Sequence, residues 1–307
     1  MTEAVRKRIE LNATAIEQGY HLCHVEVRKK FRDQYWVTGN LPPERRRALE
    51  TLMWHLLRCI DLLDLESPNH LPLDVWCDVR ADVSDAFLDQ CTSCELAALV
   101  DSFRKFNVPK QYLFDMLDGA DTWIRNGKFT SYEDLVTFAY RMGGAPMVAA
   151  VPILGFVKAG FEVPAIKCGK AIVLTHLLAN CVNNMKQNKN FLATEDLDDC
   201  EIVVHRIKLR EGGKSWNHLV RLYCARIEKL FYEGGQLIHF LDFDGVRTVK
   251  SLLGLHWKIL MKMKLDPDVA LHEEGVLTKR DWFALRSRHI MGTEGNIPVI
   301  PHDNGHH

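Results

Sequence analysis

The sequence predicts an all-α fold, and three observations carry that reading. Apolar residues recur at three- and four-residue steps through most of the chain, Pro, Gly and Asn-Gly break it at helix-sized intervals, and strand-type alternation is nearly absent. No internal repeat is evident, and 307 residues are ample for a sizeable core. The expected organisation is one all-α domain over residues 1–307, with a polar, Pro/Gly-punctuated tail from Asp266.

Each element has its own signal. Residues 3–32 are charged and amphipathic, an opening helix containing Tyr20, Leu22 and Val25. Gly39, Asn40, Pro42 and Pro43 make a turn, and Pro43 suits the first turn of a helix over 44–64. That helix is Arg-rich at its start and apolar later, and Ser67-Pro68-Asn69 ends it. Helices over 73–88 and 94–106 follow, then a break at Val108-Pro109 and a helix over 111–123. Asn126-Gly127 is a turn, and Ser131 with Glu133 and Asp134 forms a helix start with acidic first-turn residues. The helix from there runs into Gly143-Gly144, small enough to let two helices approach closely. After Gly160 and Pro164 comes a helix through Asn180, then a loop, then helices at 196–210, 216–233 and 245–264, with a last amphipathic piece near 277–288.

Composition narrows the function classes. Hydrophobic residues make up 47% and charged residues 26%, ordinary for a soluble globular protein. A net charge of −1 leaves no electrostatic footprint for nucleic acid. Nine cysteines without disulfide-scaffold spacing point to a reducing compartment, so a cytoplasmic location is expected. Cys91-x-x-Cys94 is a lone pair, read as two buried helix-borne thiols rather than a metal or redox site. The N-terminal MTEAVRKRIE is charged throughout, with no apolar segment of a signal peptide. The longest apolar run, Ala145 to Val157, falls short of the ~20 residues a bilayer span takes and carries Pro146 and Pro152. No transmembrane segment is expected, and any membrane contact would be peripheral.

Two stretches could carry chemistry. Asp61 and Asp64 are i, i+3 neighbours, with Arg58 one turn earlier and Glu66 just beyond. Carboxylates so spaced can share a hard divalent cation that also grips a diphosphate, or simply form a solvated helix end. In AIVLTHLLANCVNNMKQNKNFLATEDL, Asn180 and Asn184 sit at i, i+4, with Asn183 and Lys186 near the same face and Lys189 beyond. This is either a solvated helix end or a polar, ligand-facing one.

These stretches resemble the signatures of the squalene/phytoene synthase family. LPPERRRALETLMWHLLRCIDLLDLES is similar to its first signature through Leu41, Pro42, Arg46, Ala48, Arg58 and Asp61, while Leu65 takes the place of the second key aspartate. The 171–197 stretch keeps the frame of the second signature without a gap through Leu174, Thr175, His176, Leu192, Glu195, Asp196 and Leu197. The two magnesium-holding aspartates of that signature fall on Asn180 and Asn184, and its arginine on Ala179. In KFTSYEDLVTFAYRMGGAPMVAAVPILG, Tyr140 falls on an active-site tyrosine, and Trp257 in HWKIL falls where a tyrosine often lines the pocket.

The resemblance covers about residues 18–265 and implies an isoprenoid-synthase-type helical bundle around a hydrophobic cavity. It implies a prenyltransferase using an allylic prenyl diphosphate with an isoprenoid or aromatic acceptor; the alternative is a non-catalytic relative that binds a lipid-like ligand or a protein partner. Asp61 and Tyr140 are the implied catalytic residues, and Asp61 and Asp64 the implied metal ligands. Arg58, His176, Asn180, Asn183, Asn184, Lys186, Lys189 and Trp257 are implied to bind substrate. Magnesium is the implied cofactor, held on one side or not at all, because an Asn amide is a poor magnesium ligand. No Gly-rich dinucleotide loop appears, which speaks against an NADPH-dependent step. Met142, Met147 and Trp123 are large enough to fill or shorten a pocket.

Overall fold

The computed structural model describes residues 8–31, 35–64, 71–272 and 275–291. Helices dominate it: α1 (Ala13–Lys30), α2 (Pro43–Asp64), α3 (Leu71–Ala86), α4 (Cys94–Lys105) and α5 (Gln111–Asn126) come first. A short strand β1 (Lys128–Phe129) leads to α6 (Tyr132–Ala139), a π-helical turn (Tyr140–Gly144) and α7 (Ala145–Leu154). Then come α8 (Glu162–Ala179), α9 (Cys181–Lys186), β2 (Asn190–Ala193), α10 (Thr194–Asp199) and α11 (Val204–Lys208). The long helices α12 (Lys214–Gly235) and α13 (Phe243–Leu265) follow, and α14 (Lys279–Met291) closes the described chain.

Local chemistry sets the ends of these helices. Asn12, Ser93 and Asp242 cap α1, α4 and α13 by accepting from backbone amides in the first turn. Ser131 and Asp134 form a reciprocal capping box at α6, where the sequence predicts a helix start. Pro43 opens α2, and Gly127 closes α5 in the left-handed region at φ 63°.

Helix α8 is the axis of the bundle, packed by α7, α12, α13 and the π-helical turn. It is apolar nearly all round, as a helix buried on several sides must be. Its Gly169 meets Gly143 of the π-helical turn backbone to backbone; a Cβ on Gly143 would lie 2.8 Å from the Gly169 carbonyl carbon. Buried side chains from α1 through α13 form one contiguous hydrophobic cluster, with Trp216, Tyr223, Phe103 and Phe129 among the largest fully buried.

The structure departs from the sequence reading in four places. Helix α1 begins at Ala13, ten residues later than the predicted opening. The predicted helix over 196–210 is two short pieces, with Glu201 at φ 52° between them. Asp198 and Asp199 stand at the C-terminus of α10, where acidic charge opposes the helix dipole. β1 and β2 pair in parallel, a two-stranded contact too short to leave an alternating pattern. Cys91 precedes α4 in a loop, buried as a free thiol, and Cys94 opens the helix.

The β2–α10 segment is pinned to α12 by an ion pair between a buried Asp196 and a half-buried Arg226. Arg226 donates through Nη1 to both Asp196 carboxylate oxygens, at 2.9 and 2.7 Å, and its guanidinium lies 4.0 Å from the Tyr132 ring centroid. Tyr223 Oη accepts from the Ala193 amide at 3.0 Å. The Glu195-Asp196-Leu197 part of the sequence frame therefore serves here as an anchor.

Candidate functional site

Helices α2, α8, α9 and α13, strand β2, the α6–π-turn segment and the end of α1 line a cavity of about 430 Å³. Phe31, Leu56, Ile60, Phe138, Met142 and Val173 are among its apolar walls. One end is polar: His176, Asn180, Asn183, Asn184, Gln187 and His256. A second lobe of about 160 Å³ shares Phe31, Leu56, Met142, Ile172 and Val173 with the first. It reaches Leu154, Gly169, Val249 and Leu252, with Thr38 and Thr248 its only side chains bearing polar atoms. Among the described residues, neither lobe is lined by Asp, Glu, Lys or Arg.

The polar end is built by a break in the α8 axis. Asn180 leaves helical geometry (φ −107°, ψ 9°), and its Nδ2 donates at 2.9 Å to the His176 carbonyl, which also accepts from the Asn180 amide at 3.0 Å. Asn184 N still donates to Asn180 O at 3.0 Å, so the two carboxamides keep a helical offset across the break. His176 has accessible surface although it stands inside the bundle, because that surface faces the cavity. Burial holds its pKa below the usual imidazole range. His256 is pushed down to about 4, chiefly by burial, and the neighbouring His176 adds to the effect; its Nδ1 bonds to Leu252 O at 3.0 Å. Both imidazoles are therefore neutral near pH 7, and the polar end consists of amides and neutral rings.

The residues singled out from sequence do not all meet there. His176, Asn180, Asn183 and Asn184 line the cavity together. Lys186 is exposed and Lys189 half-buried, both outside the lining, where Gln187 takes their expected place. Asp61 is exposed and does not line the cavity; Lys30 Nζ donates to both its oxygens, at 2.7 and 2.6 Å. Arg58 stacks on Trp54, its guanidinium 5.2 Å from the ring centroid. Asp64 ends α2, but its side chain, Leu65 and Glu66 lie outside the described residues.

Tyr140 turns away from the cavity: its hydroxyl donates to Asp115 Oδ2 at 2.9 Å. Its pKa is pushed up to about 12 by burial and by that carboxylate. Trp257 lies outside the cavity too, edge-on to Phe231 and Tyr232, while its neighbour His256 faces inward. Helical register explains both differences. Phe138 and Met142, one turn apart, share the cavity face, and a residue two positions from Phe138 is rotated by roughly 200°. Phe138, Gln187, Phe191 and His256 are thus cavity residues that motif matching passed over, though the 3.6-residue period points to Phe138. Met142 and Met147 do border the cavity, whereas Trp123 stacks behind Phe191 with ring centroids 4.0 Å apart.

Among the described residues, the donor set does not fit a two-sided magnesium clamp. Asn180 and Asn184 offer neutral amides, and Lys30 neutralises Asp61. No three His, Cys, Asp or Glu side chains converge on a metal position among the described residues.

Comparison with known proteins agrees with the architecture. Residues 27–281 match the family model described as squalene/phytoene synthase. Phytoene synthase 3, chloroplastic, from Zea mays is 23% identical over 80% of this chain and 59% of its own length. The 15-cis-phytoene synthase of Synechocystis is 23% identical, over 80% of this chain and 77% of its own. The chain spans about three fifths of the length of the maize and rice relatives. A dehydrosqualene synthase crystallised with ligand superposes with a TM-score of 0.78 at 17% identity, covering 91% of this chain and 98% of that one. Squalene synthase HpnC from Alicyclobacillus acidocaldarius gives 0.74 at 14% identity, over 83% and 96%. No helix among the described residues is long and apolar enough to cross a membrane.

Proposed function

We propose a function from one established premise: the chain belongs to the squalene/phytoene synthase family. It is a prenyltransferase that lays the chain of an allylic prenyl diphosphate in the two-lobed cavity and passes it to an isoprenoid or aromatic acceptor. The observation that carries this reading is a largely apolar channel, free of charged lining residues, that ends in one cluster of hydrogen-bond donors. Burial of an isoprenoid chain supplies affinity at about 0.8 kcal/mol per methylene. Asn180, Asn183, Asn184 and Gln187 donate to oxygens of the head group. Phe138 and Phe191 line the same cavity, where positive charge developing on an allylic carbon would be shielded by their rings. Because the donor set does not fit the family's metal clamp, no step is assigned to magnesium. Asp61 and Tyr140 keep a role only if Asp61 gives up Lys30 and Tyr140 gives up Asp115.

One observation favours a second reading. The uncharged cavity, with both histidines neutral, suits an isoprenoid held without ionisation, as in a lipid-binding relative. Calorimetric titration with prenyl diphosphates and the matching prenyl alcohols, with and without magnesium, separates the two. Diphosphate binding that is lost in Val173→Trp, which would block the junction of the lobes, supports the transferase and justifies a search for the acceptor. Binding of alcohols alone supports the second reading, and no binding of either refutes both.

A further inference from the structure

We propose that the end of the bundle formed by the α7–α8 loop and the start of α13 is a docking face for a lipid bilayer. Phe243 is 75% exposed and Val157 and Val163 are each 66% exposed, with Phe156 partly exposed beside them. Apolar side chains scattered singly over a surface need no explanation, but Phe156, Val157 and Phe243 stand on two segments bonded to each other. Phe156 pairs with Leu241 in an antiparallel bridge, Val157 N donates to Phe240 O at 2.8 Å, and Asp242 N donates to Gly155 O at 3.0 Å. Gly155, at φ 94°, makes the turn out of α7 that puts Phe156 and Val157 at the surface.

The charge around the patch fits a headgroup layer better than a second apolar protein surface. Lys158 Nζ lies 4.6 Å from the ring centroid of Phe240, next to the patch, and the Arg247 guanidinium, which donates to His289 O at 3.4 Å, lies 5.7 Å from that of Phe243. Aromatic rings flanked by Lys and Arg are the chemistry of the membrane interface, where rings sit at headgroup level and cations meet phosphates. Asp242 and Asp244 are drawn to Arg45, at 2.7 and 4.0 Å, and Glu162, next to Val163, is an exposed carboxylate.

Position gives the face its purpose. Leu154, immediately before the loop, and Thr248 and Val249 line the apolar lobe of the cavity. Phe243 is five residues before Thr248 on α13, roughly 7.5 Å along the helix axis. The apolar end of the cavity therefore abuts the exposed patch, while the amide-lined end is formed by α8, α9 and α13 beyond the shared residues. A bilayer on this face would bring hydrocarbon next to the lobe that holds the chain. That purpose rests on the proposed isoprenoid ligand; the docking itself does not, and its test contains no isoprenoid.

The test is flotation of the full chain with vesicles of phosphatidylcholine, alone or with phosphatidylglycerol, compared with Val157→Ser/Phe243→Ser. Both substituted side chains are mostly in solvent, so an unchanged thermal midpoint shows that the variant folds. The wild type should float with both vesicles, more strongly with the anionic ones, and the double variant should lose roughly tenfold or more in partitioning. A second variant, Lys158→Ala, should remove part of the preference for anionic vesicles. A wild type that stays at the bottom of the gradient, or a double variant that floats equally well, overturns the proposal. So does a wild type that elutes as a dimer, does not float and becomes monomeric on substitution, because a second copy then covers the face.

Discussion

Gly169→Ala should destabilise the protein even though it adds the residue that helices favour most. Gly169 sits within α8, where Ala alone would be worth about 1 kcal/mol over Gly. Its Cβ, however, would meet the Gly143 carbonyl carbon and oxygen inside van der Waals contact and lie 2.8 Å from the Gly144 amide nitrogen. All three are backbone atoms and cannot rotate aside, so α8 and the π-helical turn must separate by roughly 1 Å to reach ordinary contact distance. Overpacking of this kind typically costs 1–3 kcal/mol, and a backbone-on-backbone clash belongs near the top, about 3 kcal/mol. The net effect is a loss of about 2 kcal/mol, a fall in thermal midpoint of roughly 4–8 °C on the scaling for 150–250 residues and toward the low end in a longer chain. Gly254→Ala is the internal control: it is also within a helix, its Cβ meets nothing within 4 Å, and it should stabilise by up to about 1 kcal/mol. Paired thermal and urea unfolding of the two variants decides the matter. Gly169→Ala unfolding at or above the wild-type midpoint would refute the claim that backbone contact sets this helix spacing. Because Gly143 and Gly169 both line the apolar lobe, the same substitution should also change prenyl-chain affinity.

Other consequences follow from single contacts. Asp196→Ala leaves Arg226 without its carboxylate partner; since Arg226 keeps some access to water, a loss of about 2–3 kcal/mol is expected from urea unfolding, and a change below 0.5 kcal/mol, the size usual for an ordinary surface site, would show that the pair is not an anchor. His55 and His256 are both held at about 4, by burial first, against about 6.5 unfolded, so the unfolded chain binds protons between those values that the folded chain does not. Stability should fall as pH drops from 6.5 towards 4, by about 3 kcal/mol per histidine at the lower end, and stay flat with respect to these groups above 6.5. A urea midpoint unchanged between pH 7 and 4.5 would contradict this. Asn180→Asp/Asn184→Asp places two carboxylates on the polar end of the cavity and should make binding of a prenyl diphosphate more strongly magnesium-dependent than in the wild type; calorimetry with equal magnesium response in both proteins would count against the role given to the two amides.

The sequence by itself determined the fold class, most helix starts and the polar cluster at one end of α8, because these rest on local facts. Periodicity, caps such as Ser131 with Asp134, and the unbroken frame from Leu174 to Leu197 are readable within one or two helical turns. Gly143-Gly144 was legible as a close-approach site, but not its partner Gly169, since nothing local says which helix arrives. Tertiary structure alone decided which side of each helix faces the cavity. Register placed Phe138 and His256 inward and turned Tyr140 to Asp115 and Trp257 to Phe231, although each stands within two residues of the other in sequence. It also decided that Asp61 meets Lys30, a partner one helix away on α1 that no spacing rule within α2 anticipates. The physical reason is common to these cases. A side chain's type limits what it can do, but the pKa, the partner and the access that make it a ligand or an anchor come from neighbours distant in the chain, which only packing brings together.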